Sequence, residues 1–134
     1  MDNTLHILIR VSTSIQEEEG TSLKTQKEIG IDLSKKLGMD YQIHNEGGKS
    51  SSKDDLNNRP VMLELLRLMN AGHVGHLWVW NADRLSRSPI TWYSIRQHMV
   101  KNAVVLYTSQ GKYDITDGLE NLLLGILSEV STYD

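Results

Sequence analysis

Apolar and polar positions along this chain fall into two alternating rhythms. The first is a short, nearly continuous apolar run from Leu5 to Val11, rich in β-branched residues and bounded by polar ones. That pattern predicts a buried strand. After Arg10 the chain opens into a polar loop headed by Ser12. The second rhythm is helical. Leu23, Ile29 or Gly30, Leu33 and Leu37 mark a buried face and predict a helix over 23–37, with Gly38 as its left-handed cap. Glu17, Glu18 and Glu19 stand near its start, where carboxylates suit the positive end of the helix dipole. Gln26 lies one turn from Leu23 on the side facing the core or the sheet rim, where leucine is the ordinary occupant.

The two rhythms repeat. Tyr41 to Ile43 is a short second strand, and Asn45 to Asn58 is polar and Gly/Ser-rich. A loop of that length inside a compact domain is either functional or disordered. Its Gly47-Gly48-Lys49-Ser50 lacks the spacing of a phosphate-binding P-loop, which rejects nucleotide binding through it. Pro60 suits the first position of a helix to about Ala71, with Met62, Leu65, Leu66 and Met69 inward and Gly72 ending it. Leu77 to Trp80 is a third strand, followed directly by Asp83-Arg84-Leu85-Ser86-Arg87. Ser88 and Pro89 start a helix to about Lys101, Ala103 to Tyr107 is a fourth strand, and a polar loop runs to Asp117. Leu119, Leu122, Leu123, Ile126, Leu127 and Val130 then form an apolar stripe at helical spacing, still running at Asp134. The expectation is a long C-terminal helix truncated at Asp134, packing on the sheet, on a partner subunit, or on each along different parts. Strands alternating with helices predict an α/β fold, a mainly parallel sheet with flanking helices.

Composition narrows the function. The 134 residues make about one domain, taken as 1–134. Cysteine is absent, which removes disulfides and cysteine-ligated metal sites. No run approaches the roughly 18 apolar residues of a membrane span, and no signal stretch opens the chain, so a cytoplasmic setting is expected. The net charge of -3 argues against holding nucleic acid by bulk electrostatics. Any role on DNA must rest on a few placed arginines.

Four of the six arginines, Arg10, Arg59, Arg84 and Arg87, stand at predicted strand or helix edges. Open α/β sheets present their chemistry past the carboxyl ends of the strands. Ser12 and the Asp83–Arg87 loop both follow such ends. Side chains two apart on a strand point the same way, so Arg10 and Ser12 pair a guanidinium with a hydroxyl. A serine closing a strand also serves commonly as a turn former or helix cap. If the Asp83–Arg87 loop makes one helical turn, Arg84 and Arg87 share a side. Their forked donors then suit a phosphate, while Asp83 orients an arginine, donates a proton, or merely caps the next helix. Preorganised cations can stabilise a pentavalent phosphorus without a metal. No clear metal cage stands out: His73 and His76 lie in a Gly-containing turn, and His6, His44 and His98 are scattered and read as structural.

Arg10-Val-Ser12-Thr13, Ser22-Leu23-Lys-Thr-Gln26, Arg59-Pro60 and Asp83-Arg84-Leu85-Ser86-Arg87, in that order, resemble the catalytic domain of the serine recombinases. These are the resolvases, invertases and large serine integrases, and the interval from Ser12 to Gln26 is similar to the transposon and phage integrase branch. The resemblance implies that Ser12 attacks a DNA phosphate to form a 5′-phosphoserine link and free a 3′-hydroxyl. Arg10, Arg84 and Arg87 would hold the scissile phosphate, with Arg59 assisting. Gln26 would help arrange the site, and Asp83 would orient groups or protonate the leaving oxygen. It further implies a homodimer assembling on double-stranded DNA into a synaptic tetramer, with no metal, ATP or other cofactor, and a DNA-binding region outside this chain. Two places depart from the family pattern. Leu8 stands where Tyr is frequent, and Glu46-Gly-Gly-Lys-Ser50-Ser51 stands for Asp-x-x-x-Ser-Gly. Two other readings compete. One is a noncatalytic DNA-associated regulatory or assembly module of the same fold. The other is an unrelated phosphate-binding domain, which the missing fingerprint glycines count against.

Overall fold

The computed structural model describes residues 3–10, 22–47, 59–81 and 89–115. In chain order these form β1 (Thr4–Arg10), α1 (Leu23–Leu37), β2 (Asp40–Gly47), α2 (Pro60–Asn70), β3 (His76–Trp78), α3 (Pro89–Lys101), β4 (Val105–Thr108) and β5 (Gly111–Tyr113). They build one five-stranded sheet in the order β2-β1-β3-β4-β5. The first four strands are parallel and β5 runs antiparallel to β4. This is the expected α/β architecture.

Both faces of the sheet are covered, so β1 reads as an apolar run interrupted only by buried His6 before it closes on Arg10. Alternation divides β1 between them. Leu5, Ile7 and Ile9 join Trp78 in a layer packed by Leu23, Ile29 and Leu33 of α1. Leu8 faces the opposite layer, built from Met62, Leu65, Leu66 and Met69 of α2, Ile95 and Met99 of α3, and Leu77, Val79 and Leu106 of the sheet. The four α2 residues are those the sequence turned inward.

α1 has the predicted bounds because both ends are written in the sequence. Ser22 Oγ accepts the Thr25 N–H at 3.1 Å, and Gly38 takes the left-handed conformation at φ 69°. The N–H groups of Gly38 and Met39 then bond the carbonyls of Lys35 and Ser34. No acidic residue lies in its first turn, and Glu17–Glu19 fall outside the described residues. Its buried face includes Gln26 and Gly30, as expected, and differs in the rest. Gln26, Gly30 and Ser34 are the buried residues, the predicted leucines lie at the flanks, and Leu37 is exposed. Close approach to β1 favours small residues along the centre line, and apolarity does not mark them.

Three strands differ from expectation. β2 runs to Gly47 rather than Ile43, because β1 pairs with it as far as Arg10. β3 covers His76–Trp78 rather than Leu77–Trp80, and β4 starts at Val105 rather than Ala103. The polar stretch after β4 contains β5, reached through Ser109 and Gln110. Thr108 organises that turn, its Oγ1 accepting the Gln110 N–H at 3.1 Å and donating to the Gly111 carbonyl at 3.3 Å. The terminal helix expected over 119–134 lies outside the described residues.

Candidate active site

The chain leaves β1 for β2 on one side of the sheet and later returns to β3 on the other. Between β1 and β3 the strand order therefore reverses, and ligands of open α/β sheets bind at the carboxyl ends beside such a reversal. Segment 11–21 follows β1, and segment 82–88 follows β3 and its extension to Asn81. Ser12, Asp83, Arg84 and Arg87 belong to those two segments and lie outside the described residues. Arg10, Gln26 and Arg59 are described, and each takes part in a specific contact at the rim.

Arg10 closes β1 and is nearly buried. Its N–H donates to Gln26 Oε1 at 3.0 Å, and its carbonyl accepts from Gln26 Nε2 at 3.0 Å. One fully buried side-chain amide thus supplies the acceptor and donor that a neighbouring strand would offer. The contact fixes the main chain two residues before Ser12. Gln26 acts on the backbone of Arg10, which explains why a long amide occupies a core position.

Arg59 is the residue before Pro60 and has no side-chain role in capping α2. Its guanidinium forks onto Glu46, Nε to Oε2 at 3.0 Å and Nη2 to Oε1 at 2.6 Å. The two side chains are 3% and 6% exposed. Bidentate, desolvated pairs of this kind are geometrically rigid, and removing one partner typically costs about 3–5 kcal/mol because a buried charge is left behind. A β-bulge delivers the carboxylate. Ile9 pairs with Asn45 and Arg10 with Gly47, so Glu46 is the extra residue on β2. Bulges commonly re-aim a side chain next to a site. Through this ladder the Arg59–Glu46 pair sits beside the end of β1. Glu46 was not singled out in the sequence as a partner for Arg59. Its signal was its place at the Asp position of the serine-recombinase loop pattern.

Next to the pair, Ile43, His44, Asn45, Pro60, Val61 and Glu64 line a shallow groove of about 370 Å³. His44 Nε2 lies 2.9 Å from His6 Nδ1, one ring donating to the other. Burial, reinforced by His6, lowers the His44 pKa to about 4 against the opposing pull of Glu64. The ring is neutral at physiological pH, and the arginines beside it, Arg59 and Arg67, are each paired with a glutamate. Glu64 itself pairs with Arg67, whose hydrogen bond holds the carboxyl below its ordinary range. Among the described residues no cluster of His, Asp and Glu could hold a metal ion. Nor is any described helix long and apolar enough to cross a membrane.

Fold and rim together define a mainly parallel α/β domain with Arg10 clamped by Gln26 at the end of β1, beside a strand-order reversal. The model of the resolvase N-terminal domain matches residues 6–134, and the chain belongs to that family. Solved structures agree. The N-terminal catalytic domain of TP901-1 integrase is 26% identical, with a TM-score of 0.69 over 97% of this chain and 95% of that one. A resolvase family site-specific recombinase from Streptococcus pneumoniae is 25% identical, with a TM-score of 0.67 over 97% and 88%. The C-terminal catalytic domain of ISC1926 TnpA, an IS607-like serine recombinase, shares the fold at 21% identity and a TM-score of 0.61, over 97% and 82%. No curated protein sequence matches the chain.

Proposed function

We propose that residues 1–134 are the catalytic domain of a site-specific DNA recombinase that cuts and rejoins strands through Ser12. The Ser12 Oγ attacks a backbone phosphorus and gives up its proton to solvent, the Oγ–P bond forms, and the bond from phosphorus to the 3′-oxygen breaks. Asp83 orients the site or protonates the departing 3′-oxygen. Arg10, Arg84 and Arg87 hold the phosphate as negative charge builds in the pentavalent transition state, and Arg59 assists by bracing the end of β2 through Glu46. The phosphoserine ester keeps the energy of the original phosphodiester. Attack by a new 3′-hydroxyl therefore reseals the strand and frees the serine with no nucleotide consumed. On this reading the partners are double-stranded DNA and further copies of the chain. A dimer joins a second dimer into a synaptic tetramer in the cytoplasm, and a separate region supplies sequence-specific grip.

The observation that carries the reading is the adjacency of β1 and β3 in parallel register, Ile7 opposite Trp78. The segment holding Ser12 and the segment holding Asp83, Arg84 and Arg87 leave the sheet from neighbouring strand ends. Family membership supports the same chemistry.

The test supplies the full-length protein with a nicked duplex carrying the boundary sequence of the genetic element that encodes it. The expected result is a covalent protein–DNA adduct, seen on a denaturing gel, that disappears in Ser12→Ala. An adduct that survives the substitution reassigns the nucleophile, with Ser14 next in line. If protein that binds the duplex forms no adduct, a noncatalytic assembly module replaces the enzyme.

A further inference from the structure

α1 approaches β1 more closely than an ordinary helix residue would permit. A Cβ placed on Gly30 would stand 2.7 Å from Ile7 Cγ2 and 3.1 Å from both Cγ1 and Cδ1. The first distance is well inside van der Waals contact. Ile7 has little room to yield, being 0% exposed, branched at Cβ and held between the ladders to β2 and β3. The bare backbone at Gly30 therefore sets the height of α1 above the strand.

That height matters one turn away. Gln26 and Gly30 are four residues apart on the same buried face of α1, and Ser34 continues the line. Gln26 meets both polar main-chain groups of Arg10 at 3.0 Å, while Ile7 lies three residues earlier on the same strand. One amide makes both bonds, so lifting the helix by a few tenths of an ångström at Gly30 lengthens or misaligns them together.

We infer that Gly30 is a positioning residue of the cleavage centre. By letting Ile7 sit against bare helix, it holds Gln26 where its amide clamps the Arg10 main chain, and so fixes the root of the segment that carries Ser12. The inference rests on the reading of Ser12 as nucleophile. It differs from a packing role in its signature, because packing alone would lower global stability without singling out Arg10.

The test uses the full-length protein and the nicked boundary duplex. In Gly30→Ala, amide exchange at Arg10 should quicken at least tenfold while Ile7 and Leu8 keep their protection. Adduct formation at saturating DNA should slow by a similar factor, with the DNA dissociation constant unchanged. Adding Ile7→Leu, which removes the Cβ branch at nearly constant volume, should restore both values, and Ile7→Leu alone should stay near wild type. Gln26→Asn, one methylene shorter, should reproduce the defect, and adding Gly30→Ala to it should slow cleavage no further. The inference is overturned if Arg10 stays protected in Gly30→Ala, if Arg10 loosens while cleavage keeps its rate, or if the Gln26 and Gly30 effects simply add. A wild-type protein that forms no Ser12-dependent adduct overturns both readings. It is distinguishable from a protein that cleaves normally with or without the alanine.

Discussion

His44 shows what the edge of this sheet does to a titrating group. It is half-buried on β2, with His6 facing it from β1 and Glu64 from α2. Its folded pKa falls from 6.5 to about 4. The unfolded chain therefore takes up a proton first as the pH drops below 6.5. The stability tied to neutral His44 is complete above that value, declines down to about pH 4 and then levels off. His44→Gln, whose amide can still hydrogen-bond to His6, should remove that part of the decline. Thermal midpoints of the two proteins from pH 7.5 to 4 test this, and parallel curves would exclude it. Legibility at this scale was uneven. Gln26 betrayed itself as a long amide where leucine belonged. Glu46 did not, because its pairing with Arg59 depends on a bulge, and a single extra residue leaves no mark in a polar stretch.

Elements with chemical punctuation were legible, and those without it were not. α1 begins at Ser22 and ends at Gly38, and its bounds follow from those two residues. The centre of its buried face is a glutamine, a glycine and a serine, so a hydrophobic pattern finds only the flanks. β5 is three residues long with a half-buried tyrosine, and its turn through Ser109 and Gln110 carries none of the Asn-Gly or Asp-Gly signals of tight hairpins. The end of α3 offers a contrast with α1. Ala103 takes the left-handed conformation at φ 53°, and the Val104 N–H returns to the Met99 carbonyl at 2.9 Å. This is the bonding that Gly38 supports, performed by a residue with a Cβ. A left-handed L-residue costs about 1–2 kcal/mol, of which glycine's extra unfolded-state entropy offsets about 0.5–1. Ala103→Gly should therefore raise stability by about 0.5–1 kcal/mol in urea denaturation. A loss would mean that the Cβ makes a favourable contact outweighing the strain.

At the scale of the molecule, alternating strands and helices led directly to a parallel sheet, since each crossover needs a helix. The order of strands did not follow from the pattern. Nothing in the apolar runs says that β3 rather than β4 lies beside β1, and the proposed meeting of Ser12 with Asp83 depends on that choice. Charge is also a property of the whole. A net charge of -3 over 134 residues argues against this chain holding a duplex by bulk counterion release. Its affinity for random-sequence duplex at physiological salt should be weaker than about 10⁻⁴ M, the loose end of nonspecific binding. Fluorescence anisotropy with a labelled duplex measures this, and micromolar binding would reveal a basic surface concealed by the average.

The bond between Glu46 and Arg59 has a further consequence in polymer terms. It ties two points of the chain thirteen residues apart into a closed ring whose ends the strand and helix already hold. The entropy of closing a flexible ring grows only with the logarithm of its contour, about 0.6 kcal/mol for each doubling. By that scaling, an insertion that doubles the length between Glu46 and Arg59 should lower stability by only about 0.6 kcal/mol in urea denaturation, and a loss of several kcal/mol would mean that the pair had come apart.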